Sequence, residues 1–270
     1  MSGSTTTTKG GAETGKRALG TVTRAGKALD LFTPQQPVWG ATGLARELGV
    51  AKSQAHELLV SLSGIGLLRR EAGGRYRLGW RTLALGRAML SSQFPDGSLR
   101  SLHQLALRYQ EPVVLMTFDR DRLTVVLRHG SSTETDALLP VGALDPYLHC
   151  CAMAKCLIAG LPTAAQRAIL GQTRERFTAA TTVDLDQALA ELEQVGAARI
   201  AFDRGEIDTR LRAVAVPLCD ANGDTIAAVG MWTTAARWAQ LGHELTSAVI
   251  RTGRRIEAAL PTAGRTAPVG

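Results

Sequence analysis

Two short helical patterns separated by one glycine constrain the fold of this chain more than any other feature. Apolar residues recur at helical spacing over 44–48 and again over 55–62, and Gly49 stands between the two runs. A helix, a tight turn and a second helix make a helix-turn-helix, which can place its second helix in the major groove of DNA. A helical hairpin inside a larger core would give the same local pattern. The polar residues that begin the second helix, where base edges would be read, are Lys52, Ser53, Gln54 and His56.

The following segment favours the first interpretation because it has the pattern of a β-hairpin. Residues 66–71 predict a short strand, Gly73 and Gly74 a turn, and residues 75–78 a second strand. A hairpin beside a helix-turn-helix is a wing, whose arginines can reach phosphates or the minor groove. An upstream apolar stripe predicts the packing helix of such a domain, and it consists of Val22, Ala25, Leu29 and Phe32. The expected base readers are Lys52, Gln54 and His56, and the expected phosphate or wing contacts are Arg24, Ser53, Arg69, Arg75 and Arg77.

Positive charge is concentrated in the same part of the chain. Residues 1–87 carry 13 Lys and Arg against 5 Asp and Glu, whereas the remaining residues carry 18 against 19. The net charge of +7 therefore arises in the N-terminal third. A basic segment joined to a nearly neutral one indicates that the first binds a polyanion and the second has a different task.

The composition predicts a cytoplasmic protein with no membrane partner. No stretch approaches the ~20 apolar residues that span a bilayer. Residues 1–20 are rich in Thr, Ser and Gly and lack the apolar segment of a secretory signal, so we expect a disordered basic arm. Four cysteines without framework spacing fit a reducing compartment.

Beyond a winged helix-turn-helix over residues 21–79, the patterns predict a linker helix over 80–97, a second domain over 98–260 and a tail over 261–270. The second domain is expected to have strands over 113–118, 123–128, 199–202, 211–218 and 225–232, and helices over 98–109, 148–160, 163–171, 184–196 and 241–260. Hairpins among interspersed helices indicate an α+β fold, with an antiparallel sheet flanked by helices. The linker helix has apolar residues on more than one side, so we expect it to pack on its copy in a second subunit.

Together these motifs resemble the IclR family of transcriptional regulators over about residues 20–255. The helix-turn-helix positions that match the family pattern are Leu44, Ala45, Gly49, Lys52, Ser53, His56, Leu58 and Leu59. In the second domain, Ala154-Lys155, Arg204-Gly205-Glu206 and Ala215-Val216-Pro217 resemble family markers. The resemblance implies a GAF-like C-terminal domain that binds a small effector, often a carboxylate or aromatic acid. It also implies homodimers or homotetramers that bind palindromic operators in double-stranded DNA.

The resemblance further implies where the effector would bind. The implied pocket is lined by Leu138, Leu139, Ala152, Met153, Asp203, Leu211, Ala213, Gly230 and Trp232, with Tyr147 and His149 beside them. An apolar cavity with few polar groups is typical of small-molecule sites. We expect Asp203 to accept a hydrogen bond from the ligand, and the amides that begin the 148–160 helix to hold a carboxylate. Trp232 and Tyr147 would favour a flat aromatic ligand or would simply fill the space.

The chain also departs from the family pattern. Glu57 stands where many members have an arginine, which removes a phosphate contact. Arg210 and Ala213 replace a Gly and a Cys, and the last strand has Gly230 and Trp232 where small hydroxyl residues are usual. Operator sequence and effector identity are therefore not transferred from other members.

Three other function classes bear on the interpretation of this chain. His149 and the thiols of Cys150, Cys151 and Cys156 could form a metal or thiol sensor. Adjacent cysteines on a helix would point apart, however, and buried cysteine commonly fills cores, so we expect no metal and no cofactor. No catalytic motif or assembled nucleophile and base is present, so an enzyme is not expected. The other alternative is a DNA-binding regulator that has no small-molecule ligand.

Overall fold

The computed structural model describes residues 20–119, 122–130, 149–172 and 174–260, and the chain divides into two compact units, Met1–Met89 and Leu90–Gly270. The N-terminal unit contains helices α1 (Gly20–Asp30), α2 (Ala41–Leu48) and α3 (Lys52–Gly64). It also contains strands β1 (Trp39–Gly40), β2 (Leu68–Glu71) and β3 (Arg75–Leu78), and a 3-10 turn at Ala72–Gly74. Helix α4 (Trp80–Gln93) continues from this unit into the next.

The core of the N-terminal unit forms where α2 and α3 direct apolar side chains at each other. Its buried members are Ala28, Phe32, Leu44, Ala45, Ala55, Leu59, Leu62, Leu68 and Tyr76. The predicted stripe of α1 is only partly correct. Val22 is 64% exposed, whereas Ala28, which the stripe omitted, is completely buried. The face of α1 that packs is therefore centred on a small residue, which permits close approach of the neighbouring helices.

The wing is the hairpin β2–β3, and it belongs to a three-stranded antiparallel sheet of order β1-β3-β2. Gly73 and Gly74 have φ of 73° and 69°, a left-handed conformation that glycine adopts without a Cβ clash. Strand β1 was not predicted because two residues carry no readable periodicity. The Trp39 indole N–H fixes it by donating to the Leu31 carbonyl at 2.7 Å.

The C-terminal unit is built on a five-stranded antiparallel sheet of order β5-β4-β8-β7-β6. The strands are β4 (Val113–Asp119), β5 (Arg122–His129), β6 (Ala201–Asp203), β7 (Leu211–Cys219) and β8 (Thr225–Thr234). The helices are α5 (Asp96–Tyr109), α6 (Ala152–Ala159), α7 (Thr163–Gln172), α8 (Leu185–Ala198) and α9 (Ala235–Ala259). The predicted α+β class, with helix-turn-helix and helix-flanked antiparallel sheet, is confirmed.

One apolar cluster packs on each side of this sheet. Residues from α5 and α9 pack with one set of strand positions, which includes Val214, Val216 and Met231. Residues from α6 pack with the alternate positions, which include Ala213, Ala215 and Trp232. The alternation follows from the two-residue period of a strand, and it places α6 over the face expected to hold the ligand.

Three predicted boundaries in this unit were wrong for local reasons. Helix α6 begins at Ala152 rather than at 148, because Cys151 is the extended residue that precedes it (φ −71°, ψ 127°). Strand β6 begins at Ala201 because Arg199 ends α8 in a left-handed conformation (φ 53°). Helix α9 begins at Ala235 rather than near 241, because the Thr234 hydroxyl accepts the Arg237 N–H and caps it.

Candidate nucleic-acid interface and ligand site

The turn between α2 and α3 is set by Gly49, which has φ 64° and ψ 36°. Because a left-handed residue ends α2 there, the Val50 N–H can return to the Ala45 carbonyl at 3.0 Å. Ala51 is extended, and its N–H donates to Gln54 Oε1 at 3.4 Å, which fixes the start of α3. The predicted base reader Gln54 therefore also has a capping role.

Helix α3 buries one side and exposes the other. Ala55, Leu59 and Leu62 are buried in the core. The predicted contacts on this helix, Lys52, Ser53, Gln54 and His56, are all exposed. The first two turns of α3 therefore expose polar donors and acceptors on the surface that a helix-turn-helix presents to the major groove.

The wing arginines are not equivalent. The carboxylate of Glu71 lies 2.6 Å from Arg77 Nε and 3.3 Å from Arg69 Nη2, so it holds both guanidinium groups on the hairpin. Arg69 also lies over the Trp80 ring at 6.0 Å. Arg75 is exposed at the tip and has no ion pair within the described residues. Of the three predicted wing contacts, Arg75 is the one whose charge stays available.

A cleft of about 230 Å³ lies between α1 and α3 and brings predicted and unpredicted residues together. Arg24 and Gln54, both predicted DNA contacts, line it with Glu57 and Ser61. Arg24 Nε donates to the Gly20 carbonyl at 3.1 Å. The resemblance implied for Glu57 only the loss of a phosphate contact and for Ser61 no role, although continuing the helical period of α3 from Ser53 and Gln54 leads to both.

In the C-terminal unit, the expected pocket residues converge on the α6 side of the sheet. Ala152, Met153, Ala213 and Trp232 are buried in one apolar cluster. Gly230 adjoins them, because a Cβ at this position would lie 2.3 Å from Met153 Sδ. Leu211 is half-buried on the same side of β7 as Ala213. The predicted residues Leu138, Leu139 and Tyr147 lie outside the described residues.

Asp203 is buried, as a ligand-binding carboxylate would be, but it also closes its own turn. Its Oδ1 accepts the backbone N–H groups of Gly205 at 2.9 Å and Glu206 at 2.6 Å. Burial raises the pKa of Asp203, and the two N–H groups oppose that shift. This carboxylate therefore stabilises the turn after β6 as well as facing the cluster.

Sequence reasoning missed the role of Lys155. Its ammonium group is only 1% exposed and lies 2.6 Å from Glu206 Oε1 and 2.7 Å from Glu191 Oε1. Burial by itself lowers the Lys155 pKa, but the two carboxylates raise it above the ordinary value. Burial raises the pKa of Glu206 to about 7 although Lys155 opposes the shift. A lysine within an otherwise apolar helix was the available signal.

His149 is a second buried polar group near the start of α6. It is 4% exposed, stacks on Phe177 at 6.0 Å, and places Nε2 2.9 Å from the Glu175 carbonyl. Burial lowers its pKa, which favours the neutral ring. The carbonyl then assigns the proton to Nε2, so Nδ1 is an acceptor, and it has no hydrogen-bond partner within the described residues.

The cysteines are placed differently from the expectation. Cys150 and Cys151 precede α6 rather than lying on it, and with Cys156 they are buried. Burial raises the pKa of the Cys156 thiol well above its usual range, which disfavours the thiolate needed for reaction or metal binding. Within 20–119, 122–130, 149–172 and 174–260, no group of three or more His, Cys, Asp or Glu residues could hold a metal ion. None of the described helices is long and apolar enough to span a bilayer.

Two family models match the chain. The model for the bacterial transcriptional regulator IclR C-terminal domain matches residues 96–258, and the model for the IclR helix-turn-helix domain matches residues 21–72. The glycerol operon regulatory protein of Streptomyces coelicolor is 29% identical over 238 residues, which covers 86% of this chain and 93% of that protein. The transcriptional regulator XynR of Escherichia coli is 28% identical over 219 residues, which covers 80% and 86% respectively.

Solved structures with the same fold include a transcriptional regulator from a Rhodococcus species. It has a TM-score of 0.74 and 26% identity, and the match covers 90% of this chain and 98% of that one. An IclR homologue from Microbacterium hydrocarbonoxydans, crystallised in complex with 4-hydroxybenzoate, also has a TM-score of 0.74. Its identity is 18%, and the match covers 88% of this chain and 98% of that one.

Proposed function

The chain belongs to the IclR family of bacterial transcriptional regulators, and we propose that it binds a palindromic operator as a homodimer or homotetramer. We further propose that a small organic or aromatic acid in the C-terminal unit changes its affinity for that operator. The family consists of DNA-binding regulators rather than enzymes. Regulation by a ligand requires that the acid bind the DNA-competent and incompetent arrangements unequally.

The observation that carries the DNA-binding proposal is the division of α3 into a buried and a polar side. Lys52, Gln54 and His56 are exposed in its first two turns while Ala55 and Leu59 fix the helix in the core. Gln54 can pair with adenine through two hydrogen bonds, and Lys52 can donate to guanine acceptors. Arg75 at the wing tip supplies a charge for phosphate contact.

Exposed apolar side chains on α4 support the oligomer proposal. Trp80, Leu83, Leu85 and Met89 are 76%, 66%, 52% and 50% exposed. Large apolar side chains gathered on one exposed helix are typical of an interaction surface. Pairing with a second copy would cover the apolar residues on one side of α4 and would give the two-fold symmetry that a palindromic operator matches.

The effector proposal is supported by the buried cluster beside α6. Met153, Ala213 and Trp232 are buried apolar residues that would line the site, and His149, just before α6, supplies a buried acceptor. An apolar lining with a few polar groups suits a small organic acid. The Microbacterium structure indicates that this fold can hold an aromatic acid.

Fluorescence anisotropy on duplexes from the region upstream of the gene tests the first part of the proposal. We expect one duplex to bind at least ~10³-fold more tightly than random DNA at equal salt. Binding that depends on salt alone, with no preferred duplex, would contradict it.

A thermal-shift screen against benzoate-type and short aliphatic acids tests the second part of the proposal, because a ligand that binds the folded state raises Tm. Stabilisation by aliphatic acids only would exclude an aromatic effector, and none at all would favour a regulator without a ligand.

A further inference from the structure

The centre of the exposed side of α3 is occupied by an acidic residue. With 3.6 residues per turn, the positions opposite buried Ala55, Leu59 and Leu62 are Ser53, Glu57, Val60 and Gly64. Glu57 is exposed, and Val60 is 47% exposed. The predicted readers His56 and Gln54 lie on the two flanks of this stripe. Glu57 is therefore more central on the outward face than either of them.

No basic side chain of the described residues neutralises the negative charge of Glu57. The other acidic side chains of the helix-turn-helix and wing are paired, since Glu47 contacts Arg46 and Glu71 contacts Arg69 and Arg77. Within the described residues Glu57 forms no ion pair. Arg24, across the cleft from it, instead donates to the Gly20 carbonyl.

An unpaired carboxylate in a DNA groove is repelled by the phosphates at every sequence. That cost is offset only where a base presents an amino group to it, and glutamate in the major groove accepts from cytosine N4. Such a residue weakens binding to random DNA, and the affinity is regained only where the correct base donates a hydrogen bond to it. A lysine or arginine at the same place would attract all sequences.

We infer that Glu57 is a specificity-determining residue that accepts a hydrogen bond from a cytosine amino group in each half of the operator. The inference rests on the proposed placement of α3 in the major groove. It gives Glu57 a direct role in reading the operator sequence. Val60, one turn further along, would adjoin the neighbouring base, where an apolar side chain suits a thymine methyl group.

Selection from a pool of randomised duplexes tests the inference, with the full chain, E57Q and E47Q each taken through the same rounds. E47Q removes one carboxylate from the exposed Arg46–Glu47 pair and so matches the charge change without touching α3. We expect the wild-type motif to contain cytosine at one position of each half-site. E57Q should lose that preference by about 10-fold and bind random DNA more tightly, whereas E47Q should select the wild-type motif.

The possible results separate the inference from the function on which it rests. An enriched wild-type motif that E57Q leaves unchanged would overturn the role of Glu57 alone. A different base at the position that E57Q relaxes would overturn the assignment to cytosine. A wild-type pool without any motif would overturn both the inference and sequence-specific regulation. Equal thermal unfolding curves for the three proteins would show that E57Q acts on binding and not on folding.

Discussion

The ammonium group of Lys155 lies 2.6 Å from Oε1 and 2.8 Å from Oε2 of Glu206, and both residues are buried. The same ammonium group contacts Glu191 on α8 and the Phe202 carbonyl. Because the Glu206 N–H donates to Asp203, the network extends into the turn after β6. It thus ties α6 and α8 to that turn, and these elements carry Met153 and Asp203 of the candidate ligand site.

Replacing Lys155 with Met should be strongly destabilising. The variant leaves Glu206 and Glu191 close together without their cation, and removing one partner of a buried pair typically costs about 3–5 kcal/mol. Urea unfolding monitored by circular dichroism measures the loss. Arg167→Gln is the control, because Arg167 and Asp186 form an exposed pair at 3.7 Å that should contribute at most about 1 kcal/mol. Similar small losses in both variants would show that the buried network does not hold the helices.

Glu206 should make stability depend on pH. Burial raises its pKa from 4.5 to about 7, so the folded chain binds the proton more tightly than the unfolded chain. Stability from this group is therefore present at low pH and is lost as the pH rises from 4.5 to 7. Asp203 shifts in the same direction, whereas His149, whose pKa burial lowers, contributes the opposite trend.

The variant Glu206→Gln isolates the contribution of Glu206. The unfolding free energy of this variant, relative to wild type, should rise steadily from pH 4.5 to pH 7. Glu193→Gln, which removes an exposed carboxylate on α8, controls for the loss of one charge. A pH dependence no larger than that of Glu193→Gln would exclude Glu206 as its source.

Two arginines on strand β3 of the wing should differ in how much they contribute to DNA binding. Arg75→Ala should weaken binding to operator and random DNA alike and lower the salt slope by about one, because Arg75 has no ion pair in the described structure. Arg77→Ala should change the slope less, because Glu71 already holds Arg77 at 2.6 Å. Anisotropy titrations at several salt concentrations give both slopes. Equal slopes for the two variants would mean that the hairpin rearranges on DNA.

Gly230 should be intolerant of a side chain. A Cβ there would lie 2.3 Å from Met153 Sδ and 3.0 Å from the Val214 carbonyl, so Gly230→Ala should cost about 1–3 kcal/mol by overpacking. We also expect it to weaken acid binding while leaving random-DNA binding unchanged. Gly171→Ala, where a Cβ meets nothing within 4 Å, should be neutral or slightly stabilising. A neutral Gly230→Ala would show that the Met153 side chain moves aside freely.

The elements of the fold that could be predicted from the sequence are those encoded by local periodicity. The α2–Gly49–α3 pattern and the Gly73-Gly74 hairpin are encoded within a few residues each, and so is the antiparallel β7–β8 pair. The predicted ends of helices and strands were wrong where a single residue, such as Cys151 or Arg199, takes a conformation that depends on tertiary context.

The site was harder to predict because its determinants are far apart in the chain. Lys155 and Glu206 are 51 residues apart, and no local pattern signals that they meet. The engagement of Arg69 and Arg77 by Glu71 depends on cross-strand register, which composition does not reveal. The resemblance identified Met153, Ala213 and Gly230 as neighbours, but the close contact of Met153 with Gly230 is a product of packing.

The exposed apolar residues of α4 lead to the last prediction. Leu83→Glu places two carboxylates in the proposed contact of a symmetric dimer, one from each copy, so a single substitution should disrupt it twice over. Val22→Glu makes the same chemical change at a site that is 64% exposed on α1 and serves as the control. Light scattering after size exclusion should give a dimer or tetramer for wild type and Val22→Glu, and a smaller species for Leu83→Glu. The smaller species should also lose operator affinity, because one winged unit reaches only one half-site. An unchanged mass for Leu83→Glu would place the subunit contact elsewhere on the chain.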